Sequence, residues 1–450
     1  MRLLLALPLL TATAAAQQAV PTRTLSKPDV EFSEPFSMLV GLRELRDGRV
    51  VAADFREKSL QVVDLGAGRA STIGREGSGP GEFLMPMGLF SFPGDSTLLY
   101  DVGNTRFLVV GPDAKPGRTF TTVGVDPGSA RGAPRGDGAG RGGDGGGRAG
   151  DAAARGGGRA AGGTPGGGGR ALLGGARFEA PRAIDAQGRF YSLGPQFTLT
   201  EAGTVVSADS APIHRLDPLT NKTDTVAYLL LPKNNVSGGA SGSGGNTSVS
   251  IRIGGAGPFA AGNEWTATPD GRIVIAYASD YHIEIVQPGR QRVVGPPVRY
   301  TPVRVGDSEK DEWRTAQRTG NLGISMSVQN GVRTVSAAPP PQQIPEPESW
   351  PATKPPFPSG ARGGAIVVAP NGEIWVTRTR AASDKVPTAD VFDARGRLVG
   401  RVAFPPSTRL IGLGARGAYV VRIDADDLQY LQRHPITWTG CAPEIKEVCR

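Results

Sequence analysis

Gly74-Arg75-Glu76-Gly77-Ser78-Gly79-Pro80-Gly81-Glu82-Phe83-Leu84-Met85-Pro86 opens a stretch that runs to Val110. A short apolar run follows, then Phe92-Pro93-Gly94-Asp95, then a second apolar run ending at Asp101. Asn104, Arg106 and Phe107-Leu108-Val109-Val110 complete it. Glycine and proline punctuate the stretch, and the apolar runs between them are too short for helices. The spacing therefore predicts strand, turn and strand in succession, with one polar step at Asp101-x-x-Asn104-x-Arg106.

The same grammar surrounds this stretch. Phe36 to Leu45 reads as a strand, and Arg46-Asp47-Gly48-Arg49 supplies its turn, because glycine tolerates positive φ. Val50 to Ala53, Leu60 to Asp64 and Arg69 to Ile73 follow. Four strands within about forty residues make one propeller blade. Gly88 to Phe92, Thr97 to Tyr100, Phe107 to Val110 and Arg118 to Val123 make a second. A third copy starts near Arg182 with the turn Asp185-Ala186-Gln187-Gly188. A fourth is built around Pro269-Asp270-Gly271, a fifth around Pro370-Asn371-Gly372 and a sixth around Arg416-Gly417. Gly48 and Gly94 lie 46 residues apart, and Gly372 and Gly417 lie 45 apart.

The sixth copy supplies three strands, ending near Arg433, and lacks a fourth. Asp29 to Ser33 precedes the first copy with no partner of its own, and Val30 and Phe32 alternate with Asp29 and Glu31. That is the two-residue period of a half-exposed strand. An unclosed ring leaves strand edges open to other chains. The segment is therefore expected to pair with Leu428 to Arg433 as the outer strand of blade six.

The glycines and Pro80 of the loop, Phe83, Pro86 and the Asp101-x-x-Asn104-x-Arg106 step resemble the NHL-type repeat of six-bladed β-propellers. The loop Gly77-Ser78-Gly79-Pro80-Gly81-Glu82-Phe83 and the ending Tyr419-Val-Val-Arg-Ile-Asp-Ala-Asp-Asp-Leu-Gln-Tyr430 resemble those of uncharacterised exported bacterial propeller proteins. The resemblance covers Asp29 to Ile436 and implies an all-β, six-bladed propeller and export. It implies no reaction, since propellers host many functions. NHL relatives include protein binders, RNA binders and a few enzymes.

Beyond residues 29–436, the chain divides by composition. Met1 to Ala16 has the layout of a secretory leader: Arg2, the apolar Leu3 to Leu10, and Ala14-Ala15-Ala16 as a cleavage site. The mature chain would begin at Gln17, with residues 17–28 as a lead-in. Periplasmic or extracellular residence is expected, and no apolar run approaches the ~20 residues of a membrane span. Residues 437–450 form a tail with Cys441 and Cys449, which an oxidising compartment would join in a small disulfide loop.

Three tracts interrupt the repeat. Residues 126–175 are rich in Gly, Arg and Ala and lack the apolar surface needed to order themselves. Their seven Arg and four Asp up to Arg170 supply +3 of the net +8. Interleaved aspartates and the absence of aromatics argue against nucleic acid as a partner. Residues 237–257 read as a flexible Gly/Ser tract and 337–359 as an extended Pro-rich linker. One short helix is expected from Ser308 to Thr319, with Ser308 and Asp311 as its capping pair and Trp313 packing on the blade beneath.

The chemistry-bearing residues are sparse. His214, His282 and His434 are a blade or more apart and show no zinc spacing. No Gly-x-Ser-x-Gly elbow occurs. The loop Gly74 to Gly81 lacks the Lys-Ser/Thr of a phosphate cradle, so its glycines are read as serving a tight crossing between blades. Asp424, Asp426 and Asp427 lack the Gly and distal Glu of a calcium loop, so they read as solvated. Some six-bladed propellers are calcium-dependent lactonases or hydrolases, but spacing alone assigns no such ligand set here.

No cofactor or metal is expected, and binding is the favoured role. The loops between second and third strands carry Arg56 and Lys58, Asn104 and Arg106, Tyr281 and His282, and Arg378 and Arg380. Several arginines on one face suit an anionic ligand; for Arg106 the favoured reading is an internal tie to Asp101. The sequence thus points to an exported monomer that recognises a protein, peptide or anionic glycan through face loops. The alternative is a metal-dependent hydrolase or lyase with its site on the axis. Three or more carboxylate or amide oxygens converging there would favour that enzyme.

Overall fold

A computed structural model describes residues 20–121, 181–199, 205–232, 236–243, 246–253, 258–287, 289, 292–320, 323–329, 332–338, 346–359 and 364–438. The leader, the Gly/Arg tract 126–175 and the cysteine pair lie outside the described residues. Six antiparallel sheets form the blades. Blade one is Leu39–Glu44, Val50–Asp54, Ser59–Asp64 and Arg69–Thr72. Blade two is Pro86–Phe92, Ser96–Asp101, Arg106–Val110 and Pro116–Phe120. Blade three is Ala183–Ile184, Phe190–Leu193, Ser210–Asp217 and Lys222–Leu230. Blade four is Glu264–Ala267, Ile273–Tyr277, His282–Val286 and Val293–Val294. Blade five is Ile366–Val368, Ile374–Thr377, Thr388–Phe392 and Leu398–Ala403. Blade six contributes Thr408–Gly414, Gly417–Ile423 and Gln429–Pro435. The first strand of each blade touches the first strand of the next, including blade six against blade one, so the ring closes about one axis.

Closure uses the chain's own beginning. Val30 pairs with Arg433 and Glu31 with Gln432, antiparallel, making Val30–Glu31 the outer strand of blade six as its alternation predicts. Phe32 N–H donates to the Leu431 carbonyl at 2.8 Å, and the Phe32 ring is 1% exposed among Phe36, Leu39, Val421 and Leu431. Upstream, Thr22–Thr24 adds in parallel to Leu398–Ala403, giving blade five a fifth strand. The polar lead-in concealed this addition. It is anchored by one apolar residue, Leu25, which is buried in the same core as Trp375, Phe404 and Trp438. Residues 22–32 therefore strap blade five to blade six.

The strap is also held by charge. Arg422 donates to both Glu31 oxygens at 2.8 Å, and the Gln432 amide donates to Glu31 Oε2 at 2.5 Å. The Arg422 bonds hold the Glu31 carboxyl below its ordinary value of 4.5, against the opposing effect of burial. A depressed folded pKa means that this stabilisation is complete above 4.5 and is lost as pH falls through the lower folded value. Glu31→Gln is expected to lower the thermal midpoint at neutral pH by the equivalent of at most about 1 kcal/mol, since the pair is partly exposed. The gap from wild type should shrink as the pH is taken from neutral down through the lowered folded value. A gap of equal size above and below that value contradicts the assignment.

Elsewhere the structure adds detail that composition concealed. The Gly/Ser tract carries an antiparallel hairpin, Val236–Ser243 with Asn246–Ile253. A second hairpin, Gly323–Gln329 with Val332–Ala338, follows the helix. The helix spans Asp307–Gly320. Its cap differs from the expected Ser308–Asp311 pair: Glu309 accepts from the Gly306 N–H at 3.0 Å, the reach-back of a third-position glutamate. The other Glu309 oxygen accepts from the Ala382 N–H at 3.0 Å and ties the helix to blade five. Trp313 meets Trp350 edge to face at 5.3 Å, where packing on a blade was expected. The Pro-rich stretch, read as a linker, is docked where it is described. Phe357 is fully buried, and the 4% exposed Lys354 donates to Glu312 at 2.7 Å.

Candidate functional site

In a four-stranded antiparallel blade, turns after the first and third strands lie at one end, and second-to-third connections at the other. The loop residues singled out from the sequence occupy the second end. Lys58, Asn104 and Arg106 converge there on one loop, Arg75 to Glu82. Lys58 pairs with Glu76 at 2.5 Å. Asn104 Nδ2 donates to the Gly77 carbonyl at 2.8 Å and to Asp101 at 2.7 Å. Arg106 donates to the carbonyls of Ser78, Gly79 and Glu82 at 2.8–2.9 Å and stands 3.8 Å from Asp101. Its tie to Asp101 is thus the weaker half of its role, and the loop carbonyls take the hydrogen bonds.

Asp101, fully buried, also accepts from the Leu84 and Met85 N–H groups at 3.1 and 2.9 Å. Asp54 does the same in blade one, accepting from Ser37 and Met38 at 2.6 and 3.0 Å. A carboxylate at the end of the second strand therefore satisfies the backbone that leads into the first. Gly74 makes the loop's crossing: its φ is +66°, and a Cβ there would stand 2.5 Å from the Gly81 carbonyl oxygen.

Tyr281 and Arg378 meet on another buried carboxylate. Asp390 is fully buried; it accepts from Tyr281 Oη at 2.8 Å and Arg401 Nε at 2.8 Å, with Arg378 Nε at 3.5 Å. Burial, reinforced by the Asp390 charge, holds the Tyr281 phenol well above its ordinary value. The Tyr281 ring is itself fully buried against Phe357 and Phe392. His282 stacks on Tyr277 at 4.7 Å, with Nδ1 3.0 Å from Asp280 but out of line for a hydrogen bond. Tyr277 donates to Glu284 at 3.1 Å, and burial pushes its pKa up to about 12. Arg380 spans to Glu312 of the helix at 3.7 Å. Arg56 is exposed on its loop. Among the described residues, no group of three His, Cys, Asp or Glu side chains stands close enough to hold a metal ion.

The opposite end holds a cavity of about 960 Å³ at the seam of blades six and one, lined also by Ser91 and Asp95 of blade two. Its walls come from the first-strand ends Leu42 to Arg46 and Gly412 to Arg416. Three arginines there have carboxylate partners. Arg43 pairs with Asp95 at 2.6 Å, Arg416 with Glu44 at 2.9 Å and Arg433 with Asp29 at 2.7 Å. A fourth, Arg46, is exposed. Gly414 makes room for the Glu44 carboxylate, which a Cβ at that position would strike. Leu413, Ile436 and Trp438 supply the apolar wall. Sequence reasoning missed this site because its residues lie in turns read only as punctuation, and Asp29 and Arg433 come from opposite ends of the chain. The visible signal was the arginine that recurs beside the turn glycines, at Arg46 and Arg416.

No family model matches the chain, and no curated protein matches it. Among the described residues no helix is long and apolar enough to cross a membrane. The structure is similar to a member of the DUF4221 family from Bacteroides vulgatus, at 9% identity over 91% of this chain and 94% of that one, TM-score 0.38. It is similar to regucalcin, a calcium-binding protein of Agrobacterium tumefaciens, at 11% identity over 93% and 98%, TM-score 0.36. It is similar to a gluconolactonase of Xanthomonas campestris at 9% identity over 93% and 99%, TM-score 0.35. These values carry no argument about the chemistry of this chain.

Proposed function

We propose that the protein is an exported, monomeric, non-catalytic binding module of NHL-type repeats that recognises its ligand through propeller face loops. Of a protein, a peptide and an anionic glycan, the glycan is the best fit. The observation that carries this reading is the seam cavity of about 960 Å³, framed by Arg43, Arg46, Arg416 and Arg433. A concave hollow of this size suits one or two sugar rings better than a flat protein surface. Guanidinium groups match carboxylate geometry with paired donors. The leader-like start, Arg2 with Leu3 to Leu10, supports export.

The test is retention of a panel of purified acidic and neutral glycans on the immobilised mature chain, residues 17–450. Saturable binding of acidic members that weakens as salt rises supports the proposal. Retention of no glycan overturns the glycan reading. Calcium-dependent turnover of a lactone panel favours the axis hydrolase instead.

A further inference from the structure

The hydrogen bonds that hold the strap to blade six require one more proton than a carboxylate and a neutral imidazole supply. His434 is fully buried on the last strand of blade six. Its Nδ1 stands 2.6 Å from the Ser26 carbonyl oxygen of the strap, and its Nε2 stands 3.1 Å from Gln432 Oε1. A carbonyl oxygen only accepts, so Nδ1 carries a proton. A neutral ring then turns the Nε2 lone pair toward Gln432 Oε1, acceptor against acceptor. The Gln432 amide is not free to turn over. Its nitrogen donates to Glu31 Oε2 at 2.5 Å, and a reversed amide would set its oxygen against that carboxylate. A protonated Glu31 would permit the reversal, but the Arg422 bonds favour the ionised carboxyl. Only an imidazolium at His434 lets Ser26, Gln432 and Glu31 keep all of these bonds.

The charges on the surrounding elements are matched. On the strap, Arg23 pairs with Glu373 of blade five at 3.6 Å, Asp29 with Arg433 at 2.7 Å and Glu31 with Arg422 at 2.8 Å. Lys27 of the strap is exposed, and Ala418, opposite His434 in register, is apolar. Burial opposes a charged ring. Two charge-assisted bonds favour it, and a neutral ring would leave a buried acceptor unmet. We propose that the strap is a proton-operated latch, whose docked state holds on His434 one proton that the undocked segment releases. A histidine in the unfolded chain titrates near about 6.5. The latch is therefore complete below that pH and weakens as rising pH removes the second ring proton. Glu31 sets the acid limit, because its bonds are complete above 4.5 and fail below its lowered folded value. The strap is held best between these limits. It also carries Asp29 into the wall of the seam cavity, so the latch fixes that wall.

Nuclear magnetic resonance of the mature chain, with isotope-labelled ring nitrogens in its three histidines, tests the latch. At about pH 7.5, a unit above the ordinary histidine value, one ring is expected to carry protons on both nitrogens. Glu31→Gln should return that ring to neutral. An amide at position 31 can donate to Gln432 Oε1, so the Gln432 amide turns and its nitrogen serves His434 Nε2. Denaturant unfolding supplies a second measure. Above pH 7 the folded-to-unfolded ratio of the wild type is expected to fall by up to about tenfold more per pH unit than that of Glu31→Gln or His434→Gln. No doubly protonated ring in the wild type at that pH, a ring that keeps both protons in Glu31→Gln, or equal slopes in all three proteins overturns the proposal. Should His434→Gln fail to fold, Glu31→Gln, which keeps the ring, decides alone.

Discussion

Phe32→Asp is expected to abolish the cooperative unfolding transition or to move it down by the equivalent of 5 kcal/mol or more, on the order of what losing a buried Phe and burying a carboxylate together cost. Phe32 is 1% exposed and packs between the strap and blade six, with Phe36 at 6.1 Å. Its core also includes Val50 and Ala52 of blade one, so one ring joins the last blade to the first. Net stabilities of folded domains are only about 5–15 kcal/mol, so a loss of this size at the seam removes much of the total. Phe32→Leu, which keeps an apolar side chain, should cost far less. Removal of residues 17–34 should behave like Phe32→Asp. Thermal unfolding followed by circular dichroism reads all three. A truncated chain that melts like wild type would show that the ring is closed without the strap.

Asp390→Ala should cost about 3–5 kcal/mol, the range for breaking a buried charge cluster by removing one partner. The carboxylate is fully buried and answers Tyr281, Arg401 and Arg378 together. Without it, the Tyr281 hydroxyl and two guanidinium groups lose their acceptor between blades four and five. Tyr281→Phe removes only one bond and should cost about 1 kcal/mol. The contrast distinguishes a structural cluster from a ligand site. If Asp390→Ala left the melting point intact while changing glycan retention, Tyr281 and Arg378 would belong to a binding surface instead.

Legibility followed the range of the interaction. Blades one and two were read to within a few residues because their turns, Gly48 and Gly94, sit between short apolar runs. Blade three was harder, since a further hairpin, Phe197–Leu199 with Val205–Ser207, separates its second and third strands. The parallel strand Thr22–Thr24 was not foreseen, because three polar residues next to proline carry no strand signal of their own. Its position depends on Leu25 finding the Trp375 and Trp438 core from 350 or more positions away in the chain. In the sequence, polar side chains in the loops between second and third strands mark the candidate residues. In the structure, Asn104, Arg106, Tyr281 and Arg378 have internal partners, and partnership is not a local property of sequence.

By itself, the sequence determined the number of blades, the turn chemistry and the closure of blade six by Val30–Glu31. Each depends on periodicity and on glycine conformations that a short window contains. The tertiary structure alone decided which charges remain available. Pairing of Arg416 with Glu44 and of Arg433 with Asp29 requires residues from the two ends of the chain to meet at one seam. A cavity is likewise the space left between elements. Such features depend on long-range packing, for which no pattern of neighbouring residues stands as a code.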